Sequence, residues 1–277
     1  MKININLEDL LTKYIYSKFP NKYNFTYHTQ KYKLNDIVKD TLYMLKTGLS
    51  YRDIRSNVNY KSLHKHILFF RKHNIFQKFY VYLLKRYFNN NKTGKLKYQL
   101  VDTSYIYNMY GVGKIGRNKF YKGKRGYKLS FITDITGIPI SILIKSGEVA
   151  DSKLIQNHTN NMLVIANTNK YKNNNRFKQY LLADAGYDEK EFREIAESYS
   201  YQCIIPYNKR NTKDSLKIKK LTEKEKIKYK KRIKIENCFA WIKKNKRLKN
   251  IYDKNKGTYE SFLFLGLIKL IHKRLKK

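Results

Sequence analysis

Acidic residues are scarce in this sequence, with 21 Asp and Glu against 60 Lys and Arg, a formal net charge of +39. Such a charge opposes compaction through self-repulsion and calls for a polyanionic partner. Hydrophobic residues nevertheless make up 42% of the 277 residues, a content that excludes a disordered polycation. We therefore expect a nucleic-acid partner, because neutralised phosphates release counterions and supply most non-specific affinity.

Long apolar runs are also lacking. The most apolar run, "SFLFLGLIKLI" at 261–271, is too short to span a bilayer and contains Lys269. The first residues, "MKININLEDLLTKYIYSKFP", are interrupted by charges and lack the apolar core of a signal peptide. We expect no membrane partner, a buried C-terminal helix, and an intracellular protein located with DNA. That location is the cytoplasm in a prokaryote, and the nucleus or a viral factory in a eukaryotic or viral setting.

Cysteine is represented only by Cys203 and Cys238, which form no Cys-x-x-Cys pair. This usage fits a reducing compartment. The six histidines lack zinc-finger spacing with these cysteines, so we expect no structural zinc.

Residues 1–90 have helical patterning. The stretch 36–48 has helical apolar spacing and ends at Gly48, a natural C-cap. The stretch 60–88 predicts one long or two short amphipathic helices. Helices joined by a tight Gly-containing turn suit a helix-turn-helix-like DNA-binding domain, although a plain helical packing domain remains an alternative. The polar stretch "NNNKTGK" at 89–95 predicts a linker, which divides the chain into a DNA-binding domain at 1–90 and a catalytic domain at 91–277.

From about residue 97 onward, the spacing of apolar residues changes from that of helices to that of strands. Segments 97–107, 126–135 and 139–147 alternate or run apolar like strands, and the order β-β-β-α-β-α-β then predicts an α/β fold, a mixed sheet with helices packed on it. The Gly-rich basic segment 111–126 is a loop suited to phosphate contact, and its expected DNA-binding residues are Lys122, Lys124 and Arg125.

Two aspartates follow apolar strand segments. Asp102 follows "YQLV" and Asp184 follows "YLLA", so both are expected at strand ends, where open α/β sheets place their sites. A single such Asp is more often a turn or cap residue, but two of them in an acid-poor chain favour a site. Asp151 is expected first as a helix N-cap and second as a site residue.

Glu236 is the only acid in the basic stretch "YKKRIKIENCFAWIK" at 229–243. On one continuous helix at about 100° per residue, Tyr229, Arg232, Glu236 and Lys243 fall within an arc of about 60°. The neighbouring arc is apolar and is expected to pack on the sheet; it consists of Ile235, Cys238, Phe239 and Ile242. Arg232 is expected to pair with Glu236 one turn later.

Three converging carboxylates repel one another unless cations join them. Hard oxygen ligands favour Mg²⁺ or Mn²⁺ over zinc. Two such ions can activate a water or a 3′-hydroxyl and stabilise the leaving oxygen of a phosphodiester.

These residues resemble a known family. "VDTSYI", "LLADAGYD" and "YKKRIKIENCFAWIK" resemble the catalytic segments of the DDE transposases of the IS4/IS5 insertion-sequence group. The signature of that group, Tyr-x2-Arg-x3-Glu-x6-Lys, is met in full by Tyr229, Arg232, Glu236 and Lys243. There are two departures: the usual Trp-Arg-Asp of the N-terminal region reads "YRD" at 51–53, and the His that often precedes Asp151 is Ala150.

The resemblance implies an RNase H-like catalytic core in which Asp102, Asp184 and Glu236 hold two Mg²⁺ or Mn²⁺ ions. It further implies that Tyr229, Arg232 and Lys243 contact the transposon-end DNA or the cleaved phosphates. The expected protein is a DNA transposase that binds inverted-repeat ends through about 36–88 and acts on double-stranded DNA, ends and target alike, as a homodimer. It would cleave and join strands by metal-assisted transesterification.

Two other classes remain open. One is a catalytically inactive, transposase-derived DNA-binding protein, which would be expected to lose a carboxylate. The other is a basic nucleic-acid coat protein, which needs no carboxylate convergence. The spatial arrangement of the three acids separates these classes.

Overall fold

The computed structural model describes residues 5–23, 31–89, 92–108, 115–118, 122–163, 179–208, 210 and 220–276. The chain divides into two compact units, Met1–Tyr87 with Trp241–Lys277, and Phe88–Ala240. The C-terminal helices therefore belong to the same unit as the N-terminal ones. The predicted functional division into 1–90 and 91–277 stays a prediction.

The helices and strands are numbered along the described part of the chain. The helices are α1 Leu7–Lys18, α2 Pro20–Tyr23, α3 Leu34–Thr47, α4 Tyr60–Lys72, α5 Ile75–Phe88, α6 Lys92–Leu96, α7 Ile155–Asn160, α8 Lys190–Ser198, α9 Glu223–Tyr229, α10 Ile233–Lys243, α11 Lys246–Lys249 and α12 Lys256–Leu275. The strands are β1 Tyr98–Tyr107, β2 Gly126–Thr133, β3 Pro139–Ser146, β4 Gln179–Leu182 and β5 Tyr201–Ile204. Among the described helices, none combines the length and hydropathy needed to cross a membrane.

The first unit is helical, as its apolar spacing predicts. Helix α3 ends at Gly48, whose φ of 73° lies in the left-handed region and whose N–H donates to the Met44 carbonyl, so the predicted C-cap is confirmed. The stretch 60–88 forms two helices, separated near Asn74, which has a φ of 51°. Helix α12 buries most of its length, including Phe262, Leu263 and Ile271, which confirms the buried C-terminal helix.

The second unit is built on a five-stranded mixed sheet in the order β3-β2-β1-β4-β5. Strand β2 is antiparallel to both β1 and β3, whereas β4 is parallel to β1 and β5 is parallel to β4. The predicted order of strands and helices is confirmed.

Helices cover both faces of this sheet. Asp102 lies opposite Phe131, so the two side chains share a face, and Phe239 of α10 stacks on Phe131 with ring centroids 4.8 Å apart. Ser130 and Ser141 lie on the other face, where both contact His158 of α7. Asp102 therefore lies on the face that receives α10.

Candidate active site

Two aspartates lie side by side on neighbouring parallel strands. Leu100 of β1 pairs with Leu182 of β4, and Asp102 and Asp184 each follow two residues later. Because side chains alternate along extended backbone, and Asp184 is extended with φ −78° and ψ 175°, both carboxylates lie on one face at the same level. The prediction that Asp102 ends its strand was wrong: β1 continues to Tyr107, held by its pairing with β2.

Asp184 lies two residues beyond the end of β4, close to the strand end at which it was predicted, and it also has a local role. Its Oδ1 accepts the Gly186 N–H at 2.8 Å, which caps the 3₁₀ turn Ala185–Tyr187. Both interpretations offered by the sequence, cap and site residue, are therefore compatible with its position. The cap fixes the orientation of the carboxylate.

Glu236 lies on α10, but the helix leading to it is not continuous. The single helix predicted over 229–243 was wrong, because α9 ends at Tyr229 and a 3₁₀ turn, Lys230–Arg232, precedes α10. The turn places the Arg232 Nη1 3.2 Å from the Tyr229 hydroxyl, to which it donates. The predicted apolar arc of α10 is confirmed, since all its members are buried: Ile235, Cys238, Phe239 and Ile242.

Arg232 connects the carboxylates. Its Nη2 lies 2.9 Å from Oδ2 of Asp102, with both side chains largely buried. Its Nη1 lies 3.8 Å from Oε1 of Glu236, a side chain that is 51% exposed. The predicted pairing of Arg232 with Glu236 is present, but the shorter contact is with Asp102, 130 residues away in sequence.

The pKa of Asp102 also reflects the nearby charges of Arg232, Asp184 and Glu236. Burial raises the pKa of its carboxyl from the ordinary 3.8 to about 6. The Arg232 guanidinium and the Thr103 N–H lower this pKa, while the carboxylates of Asp184 and Glu236 raise it. Although burial disfavours the charged form of Arg232, the Asp102 carboxylate and Tyr229 raise the pKa of the guanidinium above its ordinary value. Asp102 therefore interacts with both of the other acids, and Arg232 offsets part of that repulsion.

A pair of tyrosines anchors the segment that carries Arg232. Tyr98 and Tyr180 are register partners on β1 and β4, and their rings stack with centroids 5.1 Å apart. The Lys228 ammonium lies 4.2 Å from the Tyr180 ring centre and the Lys231 ammonium 5.4 Å from that of Tyr98. Cation–π contacts of this kind hold the end of α9 and the 3₁₀ turn on the sheet.

Two groups near the acids, Tyr187 and Lys128, were missed by the sequence analysis, and Asp151 has a partner that was not predicted. Tyr187 is buried, and its pKa is raised by burial and by the carboxylates of Asp151, Asp102 and Asp184. Asp151 lies at the N-cap position of the 3₁₀ turn Ser152–Leu154, as predicted, but its side chain makes no capping hydrogen bond there. It pairs with Lys128 at 2.7 Å instead. The signals present in the sequence were a lysine in the apolar segment "GYKLSFIT" and the tyrosine of "ADAGYD".

The basic residues predicted to bind DNA are not gathered at the acids. Lys122, Lys124 and Arg125 are exposed near the start of β2, where Gly126 pairs with Tyr107. Asp102 pairs with Phe131, five residues further along β2. Gly126 therefore lies about 16 Å from the level of Asp102 along the strand, and the three basic residues precede it and lie further away. Lys243 is the last residue of α10, and burial lowers the pKa of its ammonium group.

The fit to a divalent metal is partial. The donor set, three carboxylates, is the chemistry that hard divalent cations prefer. Within the described ranges, however, no group of three or more His, Cys, Asp or Glu side chains is arranged closely enough to hold a metal ion. One oxygen of Asp102 is engaged by Arg232 and Glu236 extends towards solvent. Metal binding would therefore require these side chains to rearrange.

A mixed sheet carrying converging acids in a strongly basic chain describes a nucleic-acid enzyme, and comparison with known proteins gives the family. Residues 103–267 match the family described as "Transposase DDE domain", a match that begins one residue after Asp102 and includes Asp184 and Glu236. The chain belongs to this family of transposases, which act on DNA.

Other comparisons add little. No curated protein matches the chain. Among solved structures, the catalytic domain of Mos1 mariner transposase is similar at 15% identity, covering 72% of this chain and 88% of that one. The TM-score of that superposition is 0.28, a value too low to support an argument.

Proposed function

We propose that this protein is a DNA transposase of the IS4/IS5 insertion-sequence group that binds the ends of its element and cleaves and joins DNA strands at Asp102, Asp184 and Glu236. The observation that carries the proposal is the set of contacts around Asp102. In a chain with only 21 acids, this carboxylate pairs with Arg232, and its pKa is raised by the carboxylates of Asp184 and Glu236. A coat protein has no need of such a cluster.

The topology supports an RNase H-like core. Strands β1 to β3 form an antiparallel meander, and β4 and β5 add in parallel beside β1 in the order 3-2-1-4-5. This arrangement brings Asp102 and Asp184 together on adjacent strands, while α10 delivers Glu236 to the same face. The resemblance in sequence implied this core.

Asp102, Asp184 and Glu236 would hold the divalent ions, two Mg²⁺ or Mn²⁺ per site. When bound, such ions activate a water or 3′-hydroxyl and stabilise the leaving oxygen of a phosphodiester. The protein supplies the rest through its own charges. Arg232 favours the ionised form of Asp102 against the effect of burial, and the Asp184 carboxylate is oriented by the Gly186 N–H.

Basic residues would bind the DNA on which the acids act. Tyr229, Arg232 and Lys243, the other three members of the signature, would contact the transposon end or the cleaved phosphates. Lys122, Lys124 and Arg125 would contact the backbone further along the duplex, because they lie more than about 16 Å from Asp102 along the strand. End recognition through a helix-turn-helix-like arrangement in about 36–88, and a homodimer on DNA, belong to the same proposal.

The test is a cleavage assay on supercoiled DNA that carries the flanks of the protein's own gene, with Mg²⁺, Mn²⁺ or EDTA. Wild type is expected to make metal-dependent breaks at the element ends. Asp184→Asn and Glu236→Gln should reduce these breaks by about a thousandfold or more while DNA binding persists, because each removes a charge that the reaction needs. The matched control, Glu194→Gln, neutralises an exposed glutamate of α8 and should cleave as wild type does.

Two results would count against the proposal. Binding without cleavage under either metal would favour the alternative, a catalytically inactive transposase-derived DNA-binding protein. Cleavage that survives both substitutions would exclude the three carboxylates as the reacting site.

A further inference from the structure

A groove in the unit formed by Met1–Tyr87 and Trp241–Lys277 is not explained by the carboxylate site. It has a volume of about 460 Å³ and lies among the start of α1, the outer face of α3 and the middle of α12. The charged and polar side chains that matter here are Asn6, Glu8, Lys39, Tyr43, Lys46 and Lys269. The wall thus carries three ammonium groups against one carboxylate, a net charge of 3 − 1 = +2.

Helix geometry aligns three of these groups. Lys39, Tyr43 and Lys46 occupy positions i, i+4 and i+7 of α3 and therefore share one helical face. Tyr43 is 48% exposed, so its hydroxyl is available to solvent. The two lysines are about 10 Å apart along the helix axis.

Lys269 adds a third charge from a different helix. It is the half-buried residue in a stretch of α12, Phe262 to His272, that is otherwise buried. Its ammonium donates to Oδ1 of Asn245 at 3.3 Å. Burial lowers the pKa of Lys269, and the neighbouring Lys46 lowers it further, so the two ammonium groups lie close enough to repel.

In the described residues, Lys39 interacts with the Asp40 carboxylate and Glu8 lies in the wall itself, so acids offset part of this charge without pairing closely with the lysines. Among the ion pairs found there, none involves Lys39, Lys46 or Lys269, although Glu8 lies in the same wall. Ammonium groups held close to one another beside a phenol suit an anion with several acceptor oxygens. A phosphate diester meets that description, because lysine, tyrosine and asparagine side chains all donate to phosphate oxygens.

We propose that this groove, formed by Lys39, Tyr43, Lys46 and Lys269, binds the phosphate backbone of double-stranded DNA. A strand advances about 3.4 Å per phosphate along the duplex axis, so the 10 Å between the two α3 lysines covers two or three successive phosphates. The choice of DNA as the source of the phosphates rests on the proposed function, whereas the anion site itself does not. Backbone contacts carry no sequence information, so the groove would position the duplex without selecting it.

The experiment measures the affinity of the full chain for a labelled duplex over salt concentrations from about 50 to 200 mM. The slope of log affinity against log salt is negative, and the triple variant Lys39→Gln/Lys46→Gln/Lys269→Gln should reduce its magnitude by about 2 to 3, since each lost phosphate contact removes about 0.9. The loss should be equal for an element-end duplex and an unrelated duplex. The corresponding triple Lys→Arg variant should keep the wild-type slope.

Controls separate the groove from general charge and from misfolding. Lys13→Gln/Lys65→Gln/Lys273→Gln removes three exposed lysines of the same unit, outside the groove wall, and should change the slope by less than about 1. The double variant Lys39→Gln/Lys46→Gln alters only exposed side chains and should still reduce the magnitude of the slope by about 1 to 2.

Three outcomes would overturn the proposal. The double variant could keep the wild-type slope, the control Lys13→Gln/Lys65→Gln/Lys273→Gln could change the slope as much as the groove variants do, or the groove variants could lose affinity for one duplex sequence alone. The carboxylate variant Asp184→Asn should keep the wild-type slope. If wild type fails to cleave DNA while the groove variants still show a less steep salt dependence of DNA affinity, the transposase proposal fails and the groove proposal stands.

Discussion

Each compact unit contains an Arg–Asp ion pair that is largely withdrawn from solvent, and the two pairs have different surroundings. In one unit, Arg247 lies 2.5 Å from Asp253, with side chains 4% and 6% exposed. In the other, Arg232 lies 2.9 Å from Asp102, with side chains 12% and 16% exposed. Burial raises the pKa of both aspartates, and the partner arginine lowers both. Burial and pairing alone therefore do not distinguish them.

The other neighbours of each pair make the difference. Arg247 also donates to the Leu49 carbonyl, and its guanidinium lies over the rings of Tyr51 and Phe262. These contacts connect the turn after α3 with α11 and α12, so this pair serves structure. Asp102 instead has two further carboxylates beside it, Asp184 and Glu236, which raise its pKa. Like charges near a buried pair cost stability, so their presence indicates a site kept for chemistry.

The largest effect expected from this comparison is on stability. Arg247→Met should lower the free energy of unfolding by about 3–5 kcal/mol, because it leaves the buried Asp253 charge uncompensated. Arg232→Met should lower it by no more than about 2 kcal/mol, because the Asp102 side chain is more accessible to solvent than that of Asp253. Urea unfolding of the two variants at one pH measures the difference. Equal losses would remove the distinction between the pairs.

His158 is a second buried ionisable group whose contacts serve structure, and it can be compared with the buried Arg247–Asp253 pair. His158 is fully buried, with Ser130 Oγ 2.7 Å from its Nε2 and Ser141 Oγ 2.8 Å from its Nδ1. Burial, with the nearby Lys145, lowers the pKa of His158 from 6.5 to about 3. Between about pH 6.5 and pH 3, His158 is therefore protonated in the unfolded chain and neutral in the folded chain. This contribution to stability is complete above pH 6.5 and is lost as the pH falls towards 3.

The expected consequence is a difference in slope between wild type and His158→Gln. From about pH 6 downward, wild type should lose stability more steeply, by about 1.4 kcal/mol per pH unit. Urea unfolding at several pH values measures both slopes. Parallel curves would show that His158 takes up its proton in the folded state and that the hydroxyl pair does not hold it neutral.

Local patterns in the sequence were sufficient for much of the fold. Apolar alternation located β1, β2 and β3, and Gly48 marked the end of α3 because a left-handed φ is accessible to glycine. Helical spacing gave the buried arc of α10, including Ile235 and Ile242. The three acids were found because each stands out against an apolar or basic background.

The features that were missed depend on contacts distant in sequence or on small changes of helix geometry. Arg232 contacts Asp102, which lies 130 residues away in sequence, more closely than it contacts Glu236. No local sequence pattern predicts that preference. The 3₁₀ turn Lys230–Arg232 contains neither proline nor glycine, so nothing in its sequence marks a break in the helix. Lys269 appeared as an interruption of an apolar run, and only the packing of α12 beside α3 shows that it lies near Lys46.

The central claim is that Asp102, Asp184 and Glu236 form one site, and the most direct test is metal binding without DNA. Calorimetric or electron-paramagnetic titration with Mn²⁺ would compare wild type with Asp102→Asn, Asp184→Asn, Glu236→Gln and the control Glu194→Gln. The account predicts that each of the three variants binds Mn²⁺ at least about tenfold more weakly than wild type, a loss of about 1.4 kcal/mol or more, while the control is unchanged. Wild-type affinity in all three variants would contradict it.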